Sequence, residues 1–392
     1  MSNVTADVPP AAIHGYCPPT GKRRTLFISV ATILTAISIV LITLAYYTVK
    51  AHAFYRESAR TSGWEGTSYV RDDPELGYVP LENAWMRHRL PPIFTVVTDD
   101  RGARVAERGQ KSPSKVDVLA VGCSFTWGHG VEEPQTYARV LASRTELTVG
   151  NVALASYGTP AVLLSMRRFA DLRPKIVIYG YIDHHKLRSI CPAADSVCPF
   201  VRPTPFVDFD EQDRPYLHGP IGDSAQHNQY LREVVLDHPF GARDVYWAMY
   251  RDYLAVTRPA TVRYSADDPR ILPKMDNYAV WSKEPGRLQR VLDYLIAEMT
   301  AQARRVDAKL LVVHLPTVDR WLPAPADLQQ AVAAAGATDT LFLVDAYPAL
   351  KAFADEHGLD SIFIPNDGHP TAAGHARIAE TIEPVLRKLT AR

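Results

Sequence analysis

The chain has 392 residues, 47% of them hydrophobic and 22% charged, which is enough apolar material for one large core and too much for a disordered or fibrous chain. Lysine plus arginine and aspartate plus glutamate each total 43, so no net positive field draws a polyanion and no nucleic-acid partner is expected. In chain order the first element is TLFISVATILTAISIVLITLAYYTV, from Thr25 to Val49, an uncharged run long enough to cross roughly 30 Å of hydrocarbon as a helix. Lys22, Arg23 and Arg24 precede it, and Tyr46 and Tyr47 sit near its far end as interfacial aromatics do. The positive-inside bias then leaves residues 1–24 in the cytoplasm and places everything after about residue 50 outside. A secretory signal would have a shorter apolar run and a small-residue cleavage site, so the expected localisation is the inner (cytoplasmic) membrane, single-pass, with the C-terminal part periplasmic or otherwise extracytoplasmic.

Residues 50–115 are rich in charge, proline and tyrosine and read as a stalk plus an N-terminal extension packed on the C-terminal domain, with DDPELGYVPLENAW and TVVTDDRGAR as short strands and turns. From residue 116 the pattern changes. Val116 to Val121 is a continuous apolar run with β-branched residues, as in a strand covered on both faces. A glycine-containing turn, GCSFTWGHG, comes next, then a helix over about 135–143, a strand over 147–153, a helix over 160–171 and a strand over 175–181. Residues 186–280 break the rhythm with prolines, aromatics and charges and read as an insertion over the active-site edge. The alternation resumes with a helix over 288–306, the strand AKLLVVHLP, a helix over 326–335, the strand LFLVDA and a last helix over 371–389. Such alternation predicts an α/β fold with a parallel sheet and right-handed crossovers across residues 116–392. Within the insertion, Cys191 and Cys198 bracket the short loop CPAADSVC, where either a local disulfide or two free thiols would fit.

Ser124 lies directly after the first apolar strand, at the carboxyl edge where α/β sheets place their ligands. A serine there is either a turn or helix-cap residue or a nucleophile, and the second reading requires a histidine to take its proton and a carboxylate to orient that histidine. Asp367 and His369, in IPNDGHPTAAGH just before the last helix, are the candidate pair, with Asn366 as the alternative orienting residue.

These segments together resemble the SGNH/GDSL hydrolases. VLAVGCSFTWGHGVEEPQTYARVL is similar to the first block of that superfamily, with Cys123 where an aspartate usually stands. NVALASYGTP resembles the second block, KIVIYGYIDHH the third and NDGHPTAAGH the last, in the superfamily's order. The resemblance implies a flavodoxin-like three-layer α/β/α sandwich, Ser124 as nucleophile, His369 as base and Asp367 as its orienting carboxylate. It implies an oxyanion hole from the backbone N–H groups of Ser124 and Gly158. The asparagine that usually completes that hole is replaced by Ile182, which cannot donate, followed by Asp183, a further candidate for the hole. The Asp-x-His spacing, shorter than the usual Asp-x-x-His, is similar to that of alginate-type acetyltransferase relatives. The implied activity is ester hydrolysis or O-acetyl transfer on a surface polysaccharide or other acylated glycan. A transferase would in addition need a membrane partner that supplies acyl groups. The other reading is a glycan-binding or assembly subunit that has kept the fold without the activity.

His375 reads as a packing or capping residue, His314 as either a cleft or a core histidine, and His129, His184 and His185 as cleft residues without assigned roles. Asp183 and His184 lack a third ligand at a recognisable spacing, so no metal and no cofactor are expected.

Overall fold

In the computed structural model of the chain, the described residues are 21–59, 64–66, 69–89, 91–195, 201–223, 270–336 and 339–391. Helix α1 runs over Lys22–Ala59. Its segment Lys22–Ala51 has a mean hydropathy of 2.5 and buries none of its apolar window, so a face-less hydrophobic rod stands away from the rest of the protein.

The parallel sheet forms from the runs whose residues are apolar on both faces. Strands β7 (Val118–Gly122), β8 (Val149–Asn151), β9 (Ile176–Tyr181), β14 (Lys309–His314) and β15 (Leu341–Asp345) lie in the order β8-β7-β9-β14-β15, all parallel. This is the flavodoxin-like order, second strand first, and its switch point falls between β7 and β9. Alternate side chains go to opposite layers. Leu119, Val121, Val177, Tyr179, Leu310 and Val312 pack against helices α4 (Thr159–Arg168), α7 (Pro285–Arg305) and α8 (Ala326–Ala334). Val118, Ala120, Ile176, Ile178, Leu311 and Val313 pack against α3 (Tyr137–Thr145), α9 (Tyr347–His357) and α10 (Ala372–Thr390). The result is the expected three-layer α/β/α sandwich, preceded by one apolar helix.

Two features differ from the sequence-based expectation. Helix α9, in the segment YPALKAFADEH, lies where no helix is predicted, because it buries little beyond Leu350 and so lacks a full apolar stripe. The extension, for its part, continues the central sheet instead of lying on it. Strands β1 (Trp64–Gly66), β4 (Trp85–His88), β5 (Phe94–Thr98) and β6 (Arg104–Val105) add antiparallel strands in the order β1-β4-β5-β6, and β6 pairs with β8 through Arg104 and Asn151. Strand β8 would otherwise be an open edge, and pairing its backbone groups removes that liability. A hairpin of β2 (Val70–Asp73) and β3 (Gly77–Pro80) packs beside them.

The insertion contains the short helix α5 (His184–Arg188), two small hairpins, β10 (Ala193–Asp195) with β11 (Val201–Pro203) and β12 (Phe206–Phe209) with β13 (Pro215–His218), and helix α6 (Leu272–Trp281). Cys198 lies outside the described residues, and with it the Cys191–Cys198 pairing.

Candidate active site

Strand β7 ends at Gly122 and the chain turns at once into the one-turn helix α2 (Ser124–Trp127), with buried Cys123 as its N-cap. Space for this turn is made at the switch point. Gly122 (φ 155°) faces Gly180 of β9 in the ladder, and a Cβ at either position would run into the Thr126 hydroxyl. Thr126 in turn accepts a hydrogen bond from the Tyr137 hydroxyl at 3.0 Å, so the nucleophile turn is packed down onto the sheet.

A one-turn helix leaves its last carbonyls without intrahelical partners. Here a cross-strand pair supplies them. Asn151 Nδ2 donates to Thr126 O at 2.9 Å, and Arg104, opposite it in the ladder, donates from Nη1 to Trp127 O and Gly128 O, both at 2.5 Å. Arg104 Nη2 adds Val131 O at 2.5 Å and Thr95 O at 3.2 Å, and the guanidinium lies 5.0 Å from the Trp127 ring centre. A fixed cation at a helix C-terminus is favourable. Burial pushes the Arg104 guanidinium down to about 10, against the pull of Glu133 and Glu132.

The base arrives from the loop before α10. Ser124 Oγ lies 2.8 Å from His369 Nε2, and His369 Nδ1 lies 2.7 Å from Asp367 Oδ1. With Nδ1 carrying the proton toward the carboxylate, Nε2 is free to accept from the serine hydroxyl. Asp367, not Asn366, meets the imidazole; Asn366 (φ 61°) instead takes the left-handed conformation that lets the loop turn back. The backbone N–H of His369 also reaches Asp367 Oδ1, at 3.2 Å, which is how a two-residue spacing suffices. Burial alone would raise the Asp367 carboxyl, but the facing imidazoles of His129 and His369 outweigh it and hold it well below the ordinary carboxylate range.

The second loop of the resemblance is lashed to the nucleophile strand by Leu154 N–H donating to Gly122 O at 3.2 Å. It ends at Gly158, the N-cap of α4. A Cβ on Gly158 would meet the Cβ, carbonyl carbon and oxygen of Arg188 at 2.9–3.0 Å, so only glycine fits beneath α5. The extension supports this loop as well: Tyr78 donates to Ala155 O at 2.8 Å and Tyr157 to Tyr78 O at 2.7 Å.

Asp183 sits at the end of β9, across the switch point from the strand that carries Ser124, with Oδ1 buried and without a hydrogen-bond partner; Lys186 Nζ is 3.9 Å away. An ionised carboxylate only accepts, so Asp183 brings no donor to an oxyanion in that form. Ile182 is buried, at 1% exposure, and brings none either.

The remaining histidines separate clearly. His375 is fully buried, accepts the Tyr137 N–H at the start of α3, and is pushed down to about 3 by burial. His314, also buried, pairs with Asp345 at 2.9 Å, His184 with Asp319 at 2.8 Å, and His185 with the Tyr179 hydroxyl at 2.8 Å. His129 alone joins the Ser124 cluster. Its Nε2 is 3.4 Å from Asp367 Oδ2 and its ring centre is 4.4 Å from that of His369. Among the described residues, His129, Asp367 and His369 are also the group of metal-ligand types whose donor atoms all lie within 4.8 Å of one another; Asp183 and His184 do not belong to it.

Arg104 and Asn151 are site residues that the sequence does not single out. Arg104 closes the segment TDDRGAR, which reads only as short strands and turns, and its partners are carbonyls some two dozen residues away that leave no trace in residue type.

Neither a family model nor a curated protein matches the sequence. Among solved structures the chain is similar to a lipolytic protein of the G-D-S-L family from Desulfitobacterium hafniense DCB-2, with 13% identity, a TM-score of 0.32, and coverage of 70% of this chain and 99% of that one. It is similar to TesA at 15% identity and a TM-score of 0.35, over 69% of this chain and 98% of that one. It is similar also to a family two carbohydrate esterase from Clostridium thermocellum, solved with cellohexaose, at 10% identity and a TM-score of 0.33, over 72% of this chain and 67% of that one. These are likenesses of fold and add nothing to the chemistry of the site.

Proposed function

We propose that this chain is a serine-dependent ester hydrolase of the SGNH/GDSL type, with Ser124 as nucleophile, His369 as general base and Asp367 as the carboxylate that fixes the imidazole. The observation that carries the reading is the continuous hydrogen-bonded line from Asp367 Oδ1 through His369 to Ser124 Oγ, at 2.7 and 2.8 Å. In the proposed reaction Ser124 Oγ attacks an ester carbonyl carbon and its proton passes to His369 Nε2. The tetrahedral intermediate collapses to an acyl-enzyme as the alcohol leaves with that proton, and water, deprotonated by His369, releases the acid. Ser124 N–H, at the first position of a helix, has no intrahelical partner, and with Gly158 N–H it would receive the oxyanion.

For the substrate we infer acyl esters on an extracytoplasmic polysaccharide. α1 would act as a single-pass anchor, with Lys22, Arg23 and Arg24 on the cytoplasmic side and the α/β unit outside. Passing the acyl group to a sugar hydroxyl instead of water would make the same site an O-acetyltransferase. The test is hydrolysis of a chromogenic acetyl ester by the detergent-solubilised chain and its Ser124→Ala variant. The reading predicts loss of activity in the variant, and equal rates overturn it. The acetyl content of surface polysaccharide in a deletion strain separates the two acyl acceptors, rising for a hydrolase and falling for a transferase.

A further inference from the structure

The line from Ser124 to Asp367 leaves one group unexplained. Asp367 Oδ1 is occupied by His369, through both Nδ1 and the backbone N–H, while Oδ2 faces away from the base. The loop that carries the carboxylate, Ile364 to His369, is bonded mainly to itself: the N–H groups of Asp367 and Gly368 both go to Ile364 O, and Ile364 N–H goes to His369 O. Asp367 and His369 are partly open to solvent, with side-chain exposures of 23% and 19%. Within this loop the carboxylate is linked to the serine, 243 positions earlier in the chain, through the His369 imidazole, the group that must take and give the proton.

The contact to Oδ2 that comes from outside the loop is made by His129 Nε2, at 3.4 Å. His129 belongs to the nucleophile turn: its backbone N–H donates to Ser124 O at 3.0 Å, and its side chain is only 4% exposed. The imidazole is walled by Phe94, 4.9 Å away between ring centres, and by Trp127 at 6.4 Å, so its freedom to leave Asp367 is small. We propose that His129 is a positioning residue that donates Nε2–H to Asp367 Oδ2 and so ties the orienting carboxylate to the same turn that holds the nucleophile, making the site a Ser124–His369–Asp367–His129 tetrad. This rests on the reading of Ser124 and His369 as nucleophile and base.

A neutral imidazole suits the role, because a donor without charge orients the carboxylate while leaving it anionic for the imidazolium that forms on His369. Burial and the adjoining His369 ring both depress His129, against the opposing pull of Asp367; Arg104 adds to the depression, and His88 is the other titratable ring nearby, at 6.3 Å. The extension thus supplies Phe94 to the wall around His129 and Arg104 to the carbonyls of the turn, and both halves of the site are set from one side.

The test compares His129→Phe, which keeps a flat ring and removes the donor, with His129→Gln, which restores an N–H near the position of Nε2. The full chain in detergent is used, and the rate of phosphonylation by a fluorophosphonate is read across pH 5 to 9, with thermal midpoints measured alongside. Misplacing a reacting group by about 1 Å can cost on the order of a hundredfold, so His129→Phe is expected to react about 10- to 100-fold more slowly, and His129→Gln to recover to within about fivefold. The acid limb of the profile is expected to move to higher pH in His129→Phe, because a carboxylate stripped of one donor holds the imidazole proton more firmly. A merely space-filling residue would not move that limb. Should His129→Phe not fold, His129→Met takes its place. Unchanged rate and acid limb in a folded donorless variant overturn the proposal, as does a glutamine variant as slow as the donorless one. If the unaltered chain itself fails to react, the reading of Ser124 fails instead.

Discussion

Replacing Arg104 by methionine removes the donors that hold the nucleophile turn while keeping most of the side chain's bulk. Three of the acceptors, Trp127 O, Gly128 O and Val131 O, are reached at 2.5 Å in buried bonds, and Trp127 itself packs in a cluster with Phe94 and Val96. Hydrogen bonds that involve a charged group contribute roughly 1.5–3 kcal/mol each. Burial, which pushes the guanidinium down to about 10, works against these bonds, so their contributions do not simply add. The loss in Arg104→Met is expected at about 3–5 kcal/mol, the usual cost of removing one member of a buried charged network. Lysine, with a single ammonium in place of the fork, recovers only part of it. The assay is urea unfolding of the solubilised chain together with the fluorophosphonate rate measured well below the unfolding midpoint. Because the orphaned carbonyls belong to the turn that carries Ser124, the rate should fall about tenfold or more even where the protein is fully folded. Native stability and a native rate in Arg104→Met would refute the claim that β6 holds the turn.

Other outcomes rest on the same geometry. Asp367→Asn should lower the reaction rate by about three to four powers of ten while Asn366→Gly, which removes the side chain and keeps the left-handed backbone, changes it little, measured by hydrolysis of an acetyl ester; the reverse ranking would move the orienting role to Asn366. Gly158→Ala should destabilise by about 1–3 kcal/mol and impair reaction, since its Cβ meets the backbone of Arg188; a native midpoint in thermal unfolding would contradict this. His375, pushed down to about 3, and the depressed His129 and His185 return on unfolding to an ordinary value near 6.5. The unfolded chain binds more protons than the folded one, so the stability these groups contribute is complete above about pH 6.5 and is lost as pH falls toward their folded values. Calorimetry in buffers of different ionisation heat should find uptake of about two to three protons on unfolding at pH 5, and no uptake would contradict the burial of these rings as neutral species.

The five parallel strands and most helices are legible in the sequence because burial on both faces leaves continuous apolar runs such as VLAV and IVIYGY, and two-sided coverage admits few other architectures. Of Ser124, Asp367 and His369, expected from turn chemistry and resemblance, the histidine lies within hydrogen-bonding reach of both others. What the sequence leaves dark is what acts through backbone. Arg104 bonds carbonyls of GCSFTWGHG, and carbonyls are the same whatever the residue, so no pattern of residue types announces the contact. His129 is visible as a histidine in that turn, but its meeting with Asp367 depends on the crossing of two loops 238 positions apart. The extension strands are readable as short strands, while their joining of the central sheet is not, because edge pairing is decided by which neighbour is free.

The central claim, that Ser124 is a nucleophile activated by His369, is tested most directly by mapping where a fluorophosphonate lands on the solubilised chain. Tandem mass spectrometry of the treated protein should find one adduct per chain, on Ser124, and His369→Ala should lose it while remaining folded. An adduct on another serine, or none on a folded chain, would contradict the account.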